Sequence, residues 1–141
     1  MKNSLLFALL LAVLPLAGHA AALDESLTCK ESAHDFVSGL IDRKLVGPEP
    51  SRVEPNSINV FWPEHGQHMT AYGFSVFAIV AFEQDDPLFQ RGSGKPIARS
   101  AYGAVVVGSQ AKVQAALTEA GNTAIVHHAG PMLTAIFCRQ D

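Results

Sequence analysis

The chain of 141 residues contains two cysteines, Cys29 and Cys138, separated by 109 positions. A bond between them would close most of the chain into one loop and force its first and last elements together. Whether they bond depends on the compartment, and the opening residues bear on that. Lys2 supplies a positive charge, and Leu5 to Leu16 form an uncharged apolar stretch. Pro15 breaks it, and the small residues Ala17, Gly18, Ala20, Ala21 and Ala22 follow. This order predicts a secretory signal peptide over residues 1–20, cleaved after Ala20, with Ala22 as the alternative. The apolar stretch falls short of the ~20 residues a spanning helix needs. Export to an oxidising compartment, periplasmic or extracellular, in turn predicts a Cys29–Cys138 disulfide. So wide a spacing excludes a C-x-x-C redox motif and argues against a zinc-finger type of metal site.

Residues 21–141 are expected to fold as one domain with a core of its own. The formal net charge of −3 becomes one unit more negative when Lys2 leaves. Phosphate backbones demand clustered Lys and Arg, so nucleic acid is not an expected partner. The longest later apolar run, Tyr72 to Phe82, is about half a membrane span, so no transmembrane segment is expected in the mature chain.

Periodicity supplies the elements. Cys29, Ala33, Phe36, Val37, Leu40 and Ile41 fall on one helical face, with Thr28 and Glu31 as a capping box, Asp24 or Ser26 as earlier caps, and Gly47-Pro48 as the stop. Alternation marks a strand at Ser57–Trp62. Residues 63–71 read as a loop, and Tyr72–Glu83, apolar on both alternating faces, reads as a central strand. Arg99–Gly108 is a third strand. Ser109 caps a second helix that Gly121-Asn122 ends, and Thr123–His128 and Met132–Arg139 are two more strands. The expected fold is α+β in the order α-β-β-β-α-β-β. It is a mainly antiparallel five-stranded sheet with two helices packed on one face and its ends linked by the disulfide.

Candidate chemistry is sparse. Glu64, His65 and His68 share one loop and could hold zinc or copper, with His127 or His128 as a further ligand, although they lack the H-E-x-x-H order of a catalytic zinc helix. Glu83, Asp85 and Asp86 are the densest acidic group, without the ligand spacing of a calcium loop. Gly92-Ser93-Gly94-Lys95 fails the phosphate-loop pattern at Phe89 and Pro96. Trp62, the single tryptophan, stands where it could anchor a partner.

These observations point first to a non-enzymatic extracytoplasmic binding or accessory protein of an inhibitor or immunity type. It would act on another extracytoplasmic protein or an envelope component and carry no cofactor. The alternatives are a periplasmic metal-binding protein using His65 and His68, and a small carboxylate-dependent hydrolase. An apolar patch or groove would favour the first, convergence of the histidines with Glu64 the second, and a deep carboxylate-lined cleft the third.

Overall fold

The computed structural model describes residues 20–141, so the predicted signal peptide lies outside the described residues except for Ala20. The elements are β1 (Ala21–Ala22), a 3-10 turn (Ser26–Thr28), α1 (Ala33–Asp42), β2 (Arg52–Val53), β3 (Asn59–Phe61), β4 (Met69–Ala71) and β5 (Phe74–Glu83). They are followed by β6 (Ser100–Val107), α2 (Gln110–Glu119), β7 (Ile125–Gly130) and β8 (Leu133–Gln140). The class is α+β, as the sequence predicts, but the sheet has eight strands rather than five. The three additions, β1, β2 and β4, are two or three residues long, too short to show an alternating pattern. The sheet runs β1-β4-β5-β6-β8-β7, with β3 pairing with β5 and β2 with β3. Every pairing is antiparallel except β1 with β4.

β5 is the longest strand and changes partner along its length. Its first residues pair with β4 and Ile79–Ala81 pair with β3, and a bulge at Phe77 falls between the two. A bulge bends its strand and re-aims a side chain, which here leaves Phe77 exposed. Tyr72, expected within this strand, instead forms a two-residue hairpin turn with Gly73, both at positive φ. Such a turn matches the sheet twist. Tyr72 tolerates the conformation because its N–H donates to Asp24 Oδ1 at 2.9 Å and its hydroxyl donates to Asp24 O at 3.1 Å. Both bonds reach 48 positions along the chain, beyond any local pattern.

The first helix also starts later than its pattern suggests. Ser32 is its cap, with Oγ accepting from Asp35 N at 3.0 Å, while Thr28 Oγ1 donates to Glu25 O one turn upstream. Cys29 therefore lies outside the helix, in a left-handed conformation at the end of the 3-10 turn. It still meets Cys138: the disulfide is present, with a Cα separation of 5.2 Å. The bond thus ties the turn before α1, not α1 itself, to β8. The helix stops at Asp42, before Gly47-Pro48, where Lys44 at φ 57° turns the chain so that Leu45 and Val46 are buried. The second helix agrees with its pattern: Ser109 Oγ accepts from Lys112 N and Gly121 takes φ 70°.

One side of the sheet is closed by these elements. α1 contacts β5 and β6, and α2 contacts β7 and β8. Phe36 stacks at 4.6 Å on Tyr102. Asn122, just past α2, donates to Leu27 O at 2.8 Å, and Tyr102 donates to Ser26 O at 2.9 Å. Thr134, Ile136 and Cys138 line the covered face of β8 and are buried. Among the described residues no helix is long and apolar enough to cross a membrane. Cross-linking so long a loop removes about 4–5 kcal/mol of unfolded-state entropy. The Cys138→Ser protein should therefore melt on the order of 10 °C or more below wild type. Melting curves with and without reductant check this, the reduced wild type being expected to match the variant.

Candidate functional site

Cross-strand partners share a face, so the register lays out both sides of the sheet. Tyr102, Ala104 and Val106 of β6 oppose Cys138, Ile136 and Thr134 of β8 on the helix side. The other side carries the rows Ile125–Phe137–Gly103–Val80 and His127–Ala135–Val105–Ala78. Gly103 offers no side chain to its row, and a Cβ there would stand 2.0 Å from Ile136 O, so a larger residue cannot be seated. Val80, Val105, Phe137, Ile125 and His127 join Ile58 and Ile97 around a mostly apolar groove of about 290 Å³. Its lining reaches across the strands, from Ile58 beside β3 to Ile125 on β7. Ile125, 49% exposed, forms its outer wall on the edge strand β7.

At one end, Ile97 and Arg139 leave the groove and line a second hollow of about 390 Å³ with Arg91, Lys95 and Arg99. Four of the ten Lys and Arg of an acidic chain meet there. One acidic residue lines the hollow with them, Asp141, whose Oδ1 already accepts from Arg139 Nε at 2.7 Å, and Arg99 also borders the depression that Glu83 and Asp85 line. The connection between β5 and β6 places three of these cations and Ile97. It has no periodic pattern, yet it is pinned at several points. The buried side chain of Asn59 acts as a strand partner for Gln90: Oδ1 accepts Gln90 N at 2.9 Å, and Nδ2 donates to Gln90 O at 2.8 Å. Ser57 Oγ accepts Gly92 N, Pro55 O accepts Gly94 N, and Asn56 O accepts Ile97 N. Gly92 passes so close that a Cβ would lie 2.1 Å from Glu54 O.

The residues singled out from the sequence lie elsewhere. Glu64, His65 and His68 are all exposed in the turn between β3 and β4. Glu64 Oε1 lies against Gly47, and His68 contributes its carbonyl to Ala21 N at 3.0 Å. His127 and His128 pair with Ala135 and Thr134, so they face opposite sides of β7. Among the described residues no three His, Cys, Asp or Glu side chains group to hold a metal ion. Trp62 is 42% exposed and meets Phe77 edge-on at 5.2 Å, above a shallow hollow shared with Gly47 and Ser51.

Two of the three clustered carboxylates have structural tasks. Glu83 Oε1 accepts from Ser100 Oγ at 3.2 Å and from His34 N at 3.4 Å. Asp86 Oδ1 accepts Leu88 N at 2.9 Å, and its Oδ2 stands 2.8 Å from His34 Nδ1. Asp85 takes φ 60° in the turn between them. Glu83, Asp85 and Asp141 border a wide polar depression of about 590 Å³ that is open to solvent. The hydrogen bond to Asp86 raises the His34 pKa, and the charges of Asp86, Asp35 and Glu83 add to it. Burial raises Glu31 with help from Asp35, and burial also raises Tyr102.

The groove was missed as a site although its signal is present. Leu133, Ala135 and Phe137 put apolar side chains on the face of β8 opposite Cys138, and Arg139 ends that row. No local pattern reveals the basic hollow, because the long connection is placed by Asn59. Comparison with protein-family models, curated proteins and solved structures found no match.

Removing the Asn59 amide strands the Gln90 N–H and carbonyl. Asn59→Ala should lose about 1–3 kcal/mol of stability and speed amide exchange at Gln90 and from Gly92 to Ile97. Denaturant unfolding and hydrogen exchange read the two effects. His34 gives a pH signature. Its folded pKa lies above the ordinary 6.5, so the stabilisation is complete below 6.5 and disappears as pH rises through the raised value. The stability gap between wild type and His34→Gln should be about 0.2–1 kcal/mol in acid, the size expected for a half-exposed pair, and close as the solution becomes alkaline. Thermal melts across the pH range measure it.

Proposed function

We propose that this is an exported, non-catalytic binding protein of the cell envelope or its exterior, which seats its partner on the uncovered face of the sheet. The observation that carries the reading is the asymmetry of the two faces. One is sealed by both helices and the amino-terminal segment; the other leaves an apolar groove in water, and contiguous apolar surface of that kind usually marks a binding site. The disulfide fits an oxidising setting. Cleavage after Ala20 suits the fold better than cleavage after Ala22, since it keeps β1 and the bond from Ala21 N to His68 O. An inhibitor, immunity or accessory role needs no more than such a rigid surface.

The test is capture of envelope components by the immobilised mature protein and two exposed-site variants. Ile125→Glu places a charge at the groove wall, whereas Met132→Glu alters an exposed hairpin residue that does not line the groove. Wild type and Met132→Glu should retain the same component and Ile125→Glu should release it. Equal capture by all three would remove the open face from the reading.

A further inference from the structure

The groove and the basic hollow are one continuous surface, joined at Ile97 and Arg139, and their chemistry changes sharply between the two ends. At the groove end the lining is apolar apart from His127 and Arg139. At the hollow end Arg91, Lys95 and Arg99 stand exposed beside Arg139. A chain with net charge −3 does not gather four cations around one hollow by composition alone. From this pairing of an apolar trough with a cationic terminus we infer that the ligand is a single-chain anionic lipid, an acyl chain ending in a carboxylate. Its tail would lie across the strands and its head among the four cations. The inference rests on the open-face reading above and gives it a ligand.

Backbone accounting favours an acyl chain over a peptide. The groove floor is made by β5, β6 and β8, interior strands whose N–H and C=O groups are paired within the sheet. A peptide laid across them would give up hydrogen bonds to water and find no main-chain partner, a cost that recurs for each stranded group. A hydrocarbon chain has no polar groups to strand, and each methylene buried adds to its binding. An extended peptide would find its backbone partners along the outer edge of β7, which is not where the groove runs. The head is matched in the same way. A carboxylate among Arg side chains forms charge-assisted hydrogen bonds, whereas a cationic head of equal chain length would be repelled.

Calorimetric titration of the mature, disulfide-bonded protein compares two soluble probes with the same tail, dodecanoate and dodecyltrimethylammonium. Dodecanoate should bind at least about tenfold more tightly, a difference of about 1.4 kcal/mol. The triple variant Arg91→Gln, Lys95→Gln, Arg99→Gln changes exposed side chains only and should erase that preference. Ile125→Glu should weaken both probes. Methyl NMR shifts on dodecanoate addition should centre on Ile97, Val105 and Ile125. Equal affinity for the two heads, an unchanged preference in the triple variant, or shifts centred elsewhere would each overturn the assignment. Absence of dodecanoate binding would overturn it too, and sedimentation then shows whether a second copy of the chain covers the groove. If dodecanoate fails while envelope capture still depends on Ile125, the lipid assignment falls and the open-face reading stands. If neither depends on Ile125, both fall.

Discussion

The segment just after Ala20 has little regular structure of its own, yet much of the covered face is assembled around it. Leu23 and Leu27 are almost wholly buried, and the backbone between them is held by side chains from three distant parts of the chain. The Tyr72 hydroxyl donates to Asp24 O, Tyr102 to Ser26 O and Asn122 to Leu27 O. A short irregular segment cannot satisfy its carbonyls internally, so a buried one needs donors from elsewhere. Here the donors come from the β4–β5 turn, from β6 and from the end of α2. The disulfide to β8 adds a covalent tie to the same place. Four elements are thereby oriented toward one side of the sheet, and this concentration leaves the other side free.

That division explains how a small domain can keep an exposed apolar trough. The core it needs is supplied by one face, where Phe36, Val37, Leu40, Val113 and Leu117 of the helices are buried. The opposite face is closed only in part. Ile58 and Ile97 flank Val80 there, and beyond them the strands meet solvent. Asn59 and Ser57 decide how far the connection covers the face, because they fix where residues 90–97 run. Structure and candidate site therefore share one polar anchor.

Long regular elements were legible in the residues, and non-local ones were not. The runs that became β5, β6 and β8 announce themselves by β-branched and aromatic content, and Ser109 and Gly121 bracket α2 as local rules require. The cysteine pairing followed from compartment and count, and alternation correctly placed Cys138 with Ile136 and Thr134 on the buried face. The errors have a common cause. Cys29 has helical spacing from Ala33, but the 3-10 turn, held by Asn122 and Tyr102, takes precedence over the helix. Met69–Ala71 looked like loop because only pairing with Ala21 and Phe74 makes it a strand. In the site, the outward apolar row of β8 was visible in principle. The gathering of Arg91, Lys95, Arg99 and Arg139 was not, since it depends on hydrogen bonds from Asn59 and Ser57 to a distant connection.

The strand order also sets a sequence of events. β6 and β7 are joined through α2 and run parallel, and β8, the last strand along the chain, lies between them. A chain delivered amino end first, from a ribosome or through a translocation pore, can form α1 and the β5–β6 hairpin early. It cannot seat β7, because the position beside β6 must be kept for residues that have not yet emerged. Cys29 waits for its partner over the same interval, with the turn that holds Leu27 lacking the strand packed against it. Completion therefore waits for β8: a chain cut short by even that strand would lose the link that holds β7 to the sheet as well as its lock.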